Sequence, residues 1–303
     1  MATMTTDQAA VREGGREAED SRVAVRRPGN RTLRLVGIYV VLVLVALIIL
    51  LPLLWLLSTS LKLPRDLFTN TIDWIPRTVT FDNYTRLFAN QQTPVGRWFL
   101  NSLAIASITT LLVLTVDSMA AYAYARMNFP GRNALFGIML LTLFLPGFMF
   151  IIPNFLTVNF LGLINNWGAV ILPGLAGVFG VFFLRQFFQG IPKELEEAAE
   201  IDGANRFEIF YRIVLPLSRP ALATLGIITF LASWNDFLWP LLVLKDRQIQ
   251  TLPPGLSTLQ SAYTSDYGLI MAGAVVVAIP VLVLYMLLQR YIVQSVASTG
   301  LKG

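Results

Sequence analysis

The sequence VGIYVVLVLVALIILLPLLWLL occupies residues 36–57 and contains no charged side chain. A helix needs about 20 consecutive apolar residues to cross the hydrocarbon core of a bilayer, which is about 30 Å thick. The stretch reaches this length without interruption by polar residues. It therefore predicts a membrane-spanning helix rather than a buried helix of a soluble domain.

Five more segments have a similar length and apolar character. Together with the first, they predict six spanning helices: Leu35–Leu57, Phe99–Ala121, Ala134–Phe155, Trp167–Phe187, Ala221–Leu244 and Gly268–Leu288. Two of these segments carry a carboxylate, Asp117 in the second and Asp236 in the fifth. The sequence thus predicts an all-α, polytopic membrane protein with both termini on the same side of the membrane.

The composition of the whole chain agrees with a membrane protein. Hydrophobic residues make up 55% of the 303 positions and charged residues 14%, whereas about 25% of residues are charged in a soluble domain. The sequence contains neither cysteine nor histidine. This excludes thiol chemistry, disulfides, histidine-based triads and metal sites built from these residues. We expect no metal site and no catalytic residue in this chain.

The basic residues are unevenly distributed between the two ends of the predicted helices. With a cytoplasmic N-terminus, 16 of the 23 Lys and Arg residues lie on the cytoplasmic side, which agrees with the positive-inside rule. Residues 1–34 are rich in arginine and acids and predict a disordered cytoplasmic tail, whereas residues 35–303 form the predicted transmembrane domain. The outer segment 58–98 is either a cap over the outer mouth or a long loop.

The longest predicted cytoplasmic loop, about residues 190–216, has the pattern of two short helices. Pro192 suits a first helical position, and acidic residues follow it in the first turns. Gly203 is typical of a helix end. Asn205 and Glu208 have the spacing of a capping box at the start of the second helix.

The second predicted helix carries an apolar stripe at i, i+3, i+4 and i+7, formed by Phe207, Phe210, Tyr211 and Val214. Small residues at the bend between the two helices allow the backbone of another protein to approach closely. An apolar surface exposed on the cytoplasmic side is typical of a site that binds another protein. These residues therefore predict that the loop docks on a partner protein, and the alternative is a loop that packs on its own protein.

The same loop contains Glu197-Ala198-Ala199 and Gly203, followed by Ile213-x-Leu215-Pro216. This pattern resembles the EAA motif of ABC-importer permeases, and residues 190–216 are named the EAA loop below. Further blocks resemble the carbohydrate-importer branch of that family, which includes the smaller membrane subunit of maltose-type transporters. These blocks are AYAYARMNFPGR, LGLINNWGAVILP, WNDFLWPL and the terminal GLKG.

The resemblance implies an ABC type I importer permease fold and a permease subunit rather than an enzyme. It implies that an ATPase-coupling helix is formed by Glu197, Ala198, Ala199, Asp202 and Gly203. The chain has no G-x-x-x-x-G-K-[ST] motif, so ATP and Mg²⁺ are expected on a separate ATPase.

The resemblance also implies a set of partners. They are a second homologous permease, an ATPase dimer, an extracytoplasmic solute-binding protein and the lipid bilayer, without nucleic acid. The implied location is the plasma (inner) membrane of a bacterium or archaeon, with both termini in the cytoplasm.

The fifth predicted helix holds a second group of candidates, Trp234, Asn235, Asp236 and Trp239. Tryptophan rings can stack on a sugar, and amide and carboxylate oxygens accept hydrogen bonds from hydroxyl groups, so these are candidate substrate-pathway residues. The interpretation that we favour is that they hold neighbouring helices together. Asp117 is likewise expected to pair within the helix bundle.

The resulting prediction is a permease subunit that translocates a sugar or oligosaccharide by ATP-driven alternating access. A permease for glycerol phosphate or another polyol is the alternative within the same architecture. A secondary sugar transporter is more distant, because no inverted repeat is evident. An integral-membrane enzyme is disfavoured, because no close pair of carboxylates lies in the predicted helices.

Overall fold

The structure is a computed structural model that describes residues 29–67, 73–175, 177–259 and 266–300. Within these ranges the regular elements are helices, without strands, so the predicted all-α class is confirmed. Residues 1–28 of the predicted tail lie outside the described residues, and its last six residues begin the first helix. Most of the terminal GLKG block also lies outside them.

The α-helices of the described chain are numbered in order along the sequence. They are α1 (Gly29–Ser60), α2 (Asp82–Ala89), α3 (Val95–Arg126), α4 (Arg132–Leu141), α5 (Ile151–Phe160), α6 (Trp167–Ile171), α7 (Val178–Gln189), α8 (Glu194–Ile201), α9 (Arg206–Ile209), α10 (Leu215–Leu217), α11 (Arg219–Trp234), α12 (Leu238–Val243), α13 (Leu252–Ser257) and α14 (Tyr267–Gly300). Short 3₁₀ segments and one π segment, Phe210–Val214, connect some of them.

Three helices, α1, α3 and α14, are each long and apolar enough to cross a membrane. Three further candidate spans consist of two helical segments with a bend between them, within residues 132–160, 167–189 and 206–234. Counting each bent pair as one crossing gives up to six candidate spans in the described chain, which is the predicted number. In the last pair the segment Arg206–Leu217 is bent by 78° from α11 and lies largely in the predicted cytoplasmic loop, so α11 supplies that pair's part of the fifth span.

The third predicted helix, Ala134–Phe155, is wrong as a continuous element. The chain bends by 102° between the segments Arg132–Phe144 and Gly147–Phe160. Pro146 lies at the bend, and the residue before it, Leu145, has extended backbone angles. The proline ring disfavours a helical conformation at the preceding residue, which explains the interruption.

The chain divides into two compact units, Met1–Leu54 and Trp55–Gly303. The described part of the first unit is the portion of α1 up to Leu54. Its side chains from Leu33 onwards are exposed on every face of the helix. A helix that is apolar all round requires lipid or another protein around it.

α3 is the central helix of the second unit. It packs along α7 and α11, and α6 and α13 also contact it. Near its C-terminal end, Leu184 of α7 and Leu225 of α11 belong to one buried cluster. Near its N-terminal end, Trp98 forms a second cluster with Trp234 of α11 and Leu252 of α13. Burial of these apolar side chains fixes the bundle around α3.

The segment between α1 and α3 is folded against the bundle in its described part. Asn83 of α2 is fully buried, and its side-chain amide donates to the carbonyl oxygens of Ser60 and Lys62 at 2.8 and 2.9 Å. Arg86 forms an ion pair of 2.6 Å with Asp266, the residue before α14. These contacts support the cap among the two interpretations of this segment.

Gly255 of α13 lies directly against the indole of Trp98, which is fully buried. A methyl group on residue 255 would overlap the indole ring atoms. We expect Gly255→Ala to destabilise the folded protein by about 1–3 kcal/mol, the usual cost of overpacking a core. The measurement is the thermal midpoint of the purified protein in mild detergent.

Gly96→Ala is the matched control, because Gly96 lies at the same end of α3. The nearest atom to its added methyl group would be 3.7 Å away, in the side chain of Phe88. Alanine stabilises the interior of a helix by about 0.5–1 kcal/mol relative to glycine. The thermal midpoint of this variant should therefore equal or exceed that of the unmodified protein. Equal midpoints for the two variants would contradict the packing argument.

Candidate functional site

The EAA loop begins with α8. This helix starts at Glu194 with Lys193 in the N-cap position, so the prediction that Pro192 is the first helical residue is wrong by two positions. The first helical hydrogen bonds run from the N–H groups of Glu196 and Glu197 to the carbonyl oxygen of Lys193, which leaves Pro192 outside the helix. The glutamates in the first turn lie where the helix dipole favours negative charge.

α8 ends in a Schellman motif around Gly203. The N–H of Gly203 donates to the carbonyl oxygen of Glu200 at 3.1 Å, and that of Ala204 to the carbonyl oxygen of Ala199 at 2.9 Å. Gly203 has a φ of 86°, and no atom lies within 4 Å of the position that its Cβ would occupy. The predicted helix end is confirmed. Within this chain the turn conformation, and not crowding, favours glycine.

The predicted capping box at the start of α9 is confirmed. The side-chain oxygen of Asn205 accepts hydrogen bonds from the N–H groups of Phe207 and Glu208, both at 3.0 Å. The Glu208 carboxylate in turn accepts from the N–H of Asn205 at 3.0 Å. The local sequence alone therefore fixes where the second helix begins.

The predicted apolar stripe on the second helix is only partly correct. Phe210 and Val214 are buried together with Ile209, whereas Phe207 is 68% and Tyr211 65% exposed. The backbone forms a π segment from residue 210 onwards, so the 3.6-residue period behind the prediction does not hold there. Tertiary packing against α3 and α7 selects the face that is buried.

Four of the five predicted coupling residues are exposed. Glu197, Ala198, Asp202 and Gly203 are exposed, and these four residues are named the coupling surface. Ala199 is half-buried and packs on the core cluster instead. A groove of about 390 Å³ lies beside the turn. A partner protein can therefore reach the backbone of this turn.

A largely buried ion pair, which no motif in the sequence predicts, joins α8 to α3. The Nε atom of Arg126 lies 2.7 Å from Oε1 of Glu196, and the two side chains are 5% and 13% exposed. The Nη2 atom of Arg126 also donates to the carbonyl oxygen of Ile191 at 2.5 Å. The partners are distant in sequence, so no local pattern predicts their contact.

The contact between Arg126 and Glu196 is ionic in character. Neither Nε nor Oε1 completes a well-aligned hydrogen bond with a described residue. Burial raises the pKa of Glu196 above its ordinary value, and the charge of Arg126 opposes this by favouring the carboxylate. Arg126 therefore favours the charged form of this carboxylate, as do Arg206 and Lys193.

The two candidate tryptophans hold helices together. Trp234 is fully buried, stacks on Phe230 with ring centroids 6.0 Å apart, and donates from Nε1 to the carbonyl oxygen of Val277 at 3.2 Å. Trp239 donates from Nε1 to the carbonyl oxygen of Ala169 at 2.9 Å. These contacts fasten α11 to α14 and α12 to α6, which supports the interpretation that we favoured from the sequence.

The prediction of a continuous fifth helix, Ala221–Leu244, is wrong, because the helix breaks between α11 and α12. The Asn235 side chain donates to the carbonyl oxygen of Leu231 at 2.9 Å, and Oδ1 of Asp236 accepts from the N–H of Trp239 at 3.4 Å. Such local bonds compete with the helical ones. Asn235 is exposed, Asp236 and Trp239 are half-buried, and Trp234 is fully buried.

Asp117 lies buried where α3 meets α7, with 1% of its surface exposed. Its carboxylate occupies the space beside Gly180 that a side chain there would fill. Neither oxygen has a hydrogen-bond partner among the described residues, so the expectation that Asp117 pairs within the bundle is wrong for them. At this point α7 presents Gly180, which has no side chain that could pair with the carboxylate.

The sequence and the fold of this chain match those of known proteins. The family model "Binding-protein-dependent transport system inner membrane component" matches residues 118–298, which include the EAA loop and the broken fifth span. The chain belongs to this family. The arabinooligosaccharides transport system permease protein of Halalkalibacterium halodurans is 40% identical over 264 residues, which are 86% of this chain and 93% of the relative.

Two further proteins extend the comparison. The diacetylchitobiose uptake system permease protein of Streptomyces coelicolor is 35% identical over 263 residues, which are 86% of each chain. A crystal structure of a bacterial ABC transporter involved in the import of the acidic polysaccharide alginate has a TM-score of 0.74 at 25% identity, covering 89% of this chain and 99% of that chain.

These findings confirm the predicted resemblance to carbohydrate ABC-importer permeases and the importer fold. The chain is a multi-pass component of the inner membrane. Its relatives are transport permeases, so it is a permease subunit and not an enzyme.

The capping box gives a local test of the EAA loop. Asn205→Ala removes the acceptor for the N–H groups of Phe207 and Glu208, which costs about 1 kcal/mol at a typical N-cap. We expect hydrogen exchange at these two amides to accelerate by about fivefold. Asn205→Asp keeps an acceptor and should leave both rates unchanged; equal acceleration in the two variants would contradict the cap.

Proposed function

We propose that this chain is the membrane-spanning permease subunit of an ATP-driven, binding-protein-dependent importer of a sugar or oligosaccharide. The main support for the proposal is that the coupling surface is exposed, on a loop that lies within the residues matched by the family model. A separate ATPase, which holds ATP and Mg²⁺, docks on this surface. ATP-driven closure of the ATPase dimer then moves α8 and shifts the bundle between inward-facing and outward-facing states.

The shape and charge of the coupling surface suit a docking partner. Gly203 has open space around it, so a partner backbone can approach without meeting a side chain. Ala198 adds little bulk beside it, and the carboxylates of Glu197 and Asp202 can accept hydrogen bonds from donors on the ATPase. Ile201, exposed by 87%, adds apolar area that a partner would cover.

The orientation and the remaining partners follow from charge and exposure. The excess of Lys and Arg at the EAA-loop end supports a cytoplasmic location for this loop and for both termini.

The helices on either side of the bend at Pro146 expose large apolar side chains, among them Phe144 (83%), Phe148 (73%) and Phe160 (88%). Lipid and a second homologous permease cover such faces. An extracytoplasmic solute-binding protein delivers the substrate at the opposite end.

The break in the fifth span is where we place the substrate pathway. Within a membrane, non-helical backbone is tolerated only where it is buried in protein or lines a cavity. Asn235 is exposed at the break and Asp236 is half-buried, so both can accept hydrogen bonds from sugar hydroxyl groups. The relatives named for arabinooligosaccharides and diacetylchitobiose favour an oligosaccharide substrate.

The first experiment is purification of the tagged chain from its native host in mild detergent, followed by mass spectrometry of the proteins that accompany it. We expect an ATPase with the G-x-x-x-x-G-K-[ST] motif and a second permease that carries an EAA motif. A detergent that preserves a known importer complex serves as the control. Recovery of the chain alone under that condition would contradict the proposal.

Substitution of Gly203 tests the coupling surface in uptake assays. Gly203→Asn tolerates the left-handed conformation, and Gly203→Ala costs about 1–2 kcal/mol of local strain. Gly203→Arg adds a long side chain where we place the ATPase. We expect uptake to persist with asparagine, to decline with alanine and to be abolished with arginine, while all three proteins still insert in the membrane.

Gly131 provides the matched control for this series. It has a φ of 76°, no atom lies within 4 Å of its Cβ position, and it precedes α4 at the same end of the bundle. Gly131→Arg therefore carries the same strain and charge outside the EAA loop, and uptake should persist. Normal uptake with Gly203→Arg, or equal losses at both glycines, would overturn the assignment of the coupling surface.

A further inference from the structure

We propose that Arg126 and Glu196 form a positioning pair that makes the C-terminal end of α3 move together with α8. This inference rests on the proposed function, because it concerns how motion of the coupling surface reaches the membrane-spanning bundle. The two residues touch neither substrate nor nucleotide in this proposal. They act by joining the helix that docks on the ATPase to the central helix of the bundle.

α8 has little other attachment to the bundle. None of its residues is fully buried, and only Glu196 and Ala199 are half-buried. Ala199 contributes a single methyl group to the core cluster. A short helix held in this way could shift along the bundle surface if apolar contact were its only attachment, because such contact is not directional.

Arg126 supplies the directional attachment. Its side chain is 5% exposed and contacts both Glu196 of α8 and the carbonyl oxygen of Ile191, which lies between α7 and α8. A displacement of α8 that left α3 behind would separate the charges of Arg126 and Glu196, whose side chains are only 5% and 13% exposed. That is strongly unfavourable, so α8 and the end of α3 are expected to move as one body.

α3 is suited to receive this motion. It is a 32-residue helix that packs along both α7 and α11. Arg126 is its last residue, where the helix dipole favours a positive charge. A displacement applied at this residue is therefore passed to the two helices that α3 contacts, of which α11 forms the first part of the broken fifth span.

The test uses the complete importer, with its ATPase, second permease and binding protein, reconstituted in liposomes. The variant Arg126→Gln with Glu196→Gln removes both charges together, so that no unpaired charge is left buried. We expect ATP hydrolysis to continue and the number of sugar molecules taken up per ATP to fall by about tenfold. A merely structural pair would lower yield or thermal stability and leave this ratio unchanged.

Arg212→Gln is the matched control. It removes an exposed ion pair on the same loop, in which Nη1 of Arg212 lies 3.8 Å from Oε1 of Glu208. The sugar-to-ATP ratio of this variant should equal that of the unmodified importer. An unchanged ratio in the doubly neutral variant, or an equal loss in Arg212→Gln, would overturn the positioning role.

A distance measurement keeps the proposal testable if the doubly neutral variant does not fold. The chain contains no cysteine, so spin labels can be placed uniquely at introduced cysteines, Glu200→Cys on α8 and Asn128→Cys just beyond α3. With Arg126 and Glu196 intact, we expect the same distance between the labels in the nucleotide-free and ATP-bound importer. A distance that changes between the two states would overturn the proposal.

The failure of this inference is distinguishable from that of the proposed function. If the unmodified assembly shows no ATP-dependent uptake of any oligosaccharide, the proposed function fails. If uptake is normal and the label distance changes with nucleotide, only the positioning role of the pair fails.

Discussion

The packing of α3 against α7 and α11 is the interaction on which the second unit of this protein depends. Burial along α3 continues from Val95 near its start to Tyr122 near its end, so one helix links the cap at one end to the EAA loop at the other. The approach of α3 to α7 is close enough to enclose the carboxylate of Asp117 beside Gly180. Glycine at that point makes the close packing possible.

The interrupted spans show how a membrane protein obtains non-helical backbone where it is needed. Every buried polar group of the backbone needs a hydrogen-bond partner in a bilayer, so breaks are supported by nearby side chains. At the fifth span, Asn235 and Asp236 bond to backbone groups of the adjoining helices, and the tryptophans on either side fasten those helices to their neighbours. These hydrogen bonds therefore stabilise the non-helical backbone at the break.

The EAA loop combines local and tertiary determinants. Its helix end at Gly203 and its capping box at Asn205 depend on contacts within a few residues, and both follow from the sequence. The exposed faces of Phe207 and Tyr211 do not follow from it, because the π segment and the packing against α3 decide which side chains are buried. The surface offered to a partner is thus set by tertiary contacts acting on locally defined helices.

The amino-acid sequence is sufficient to predict the all-α membrane class, the number of candidate spans, the caps at Gly203 and Asn205 and the family of the protein. These depend on apolar length, on local hydrogen-bonding patterns and on motif spacing, all of which are short-range. Two contacts depend instead on tertiary packing, that of Arg126 with Glu196 and that of Asp117 with Gly180. Both form only when distant segments of the chain become neighbours. The periodicity of a single segment does not indicate which residues of other segments will contact it.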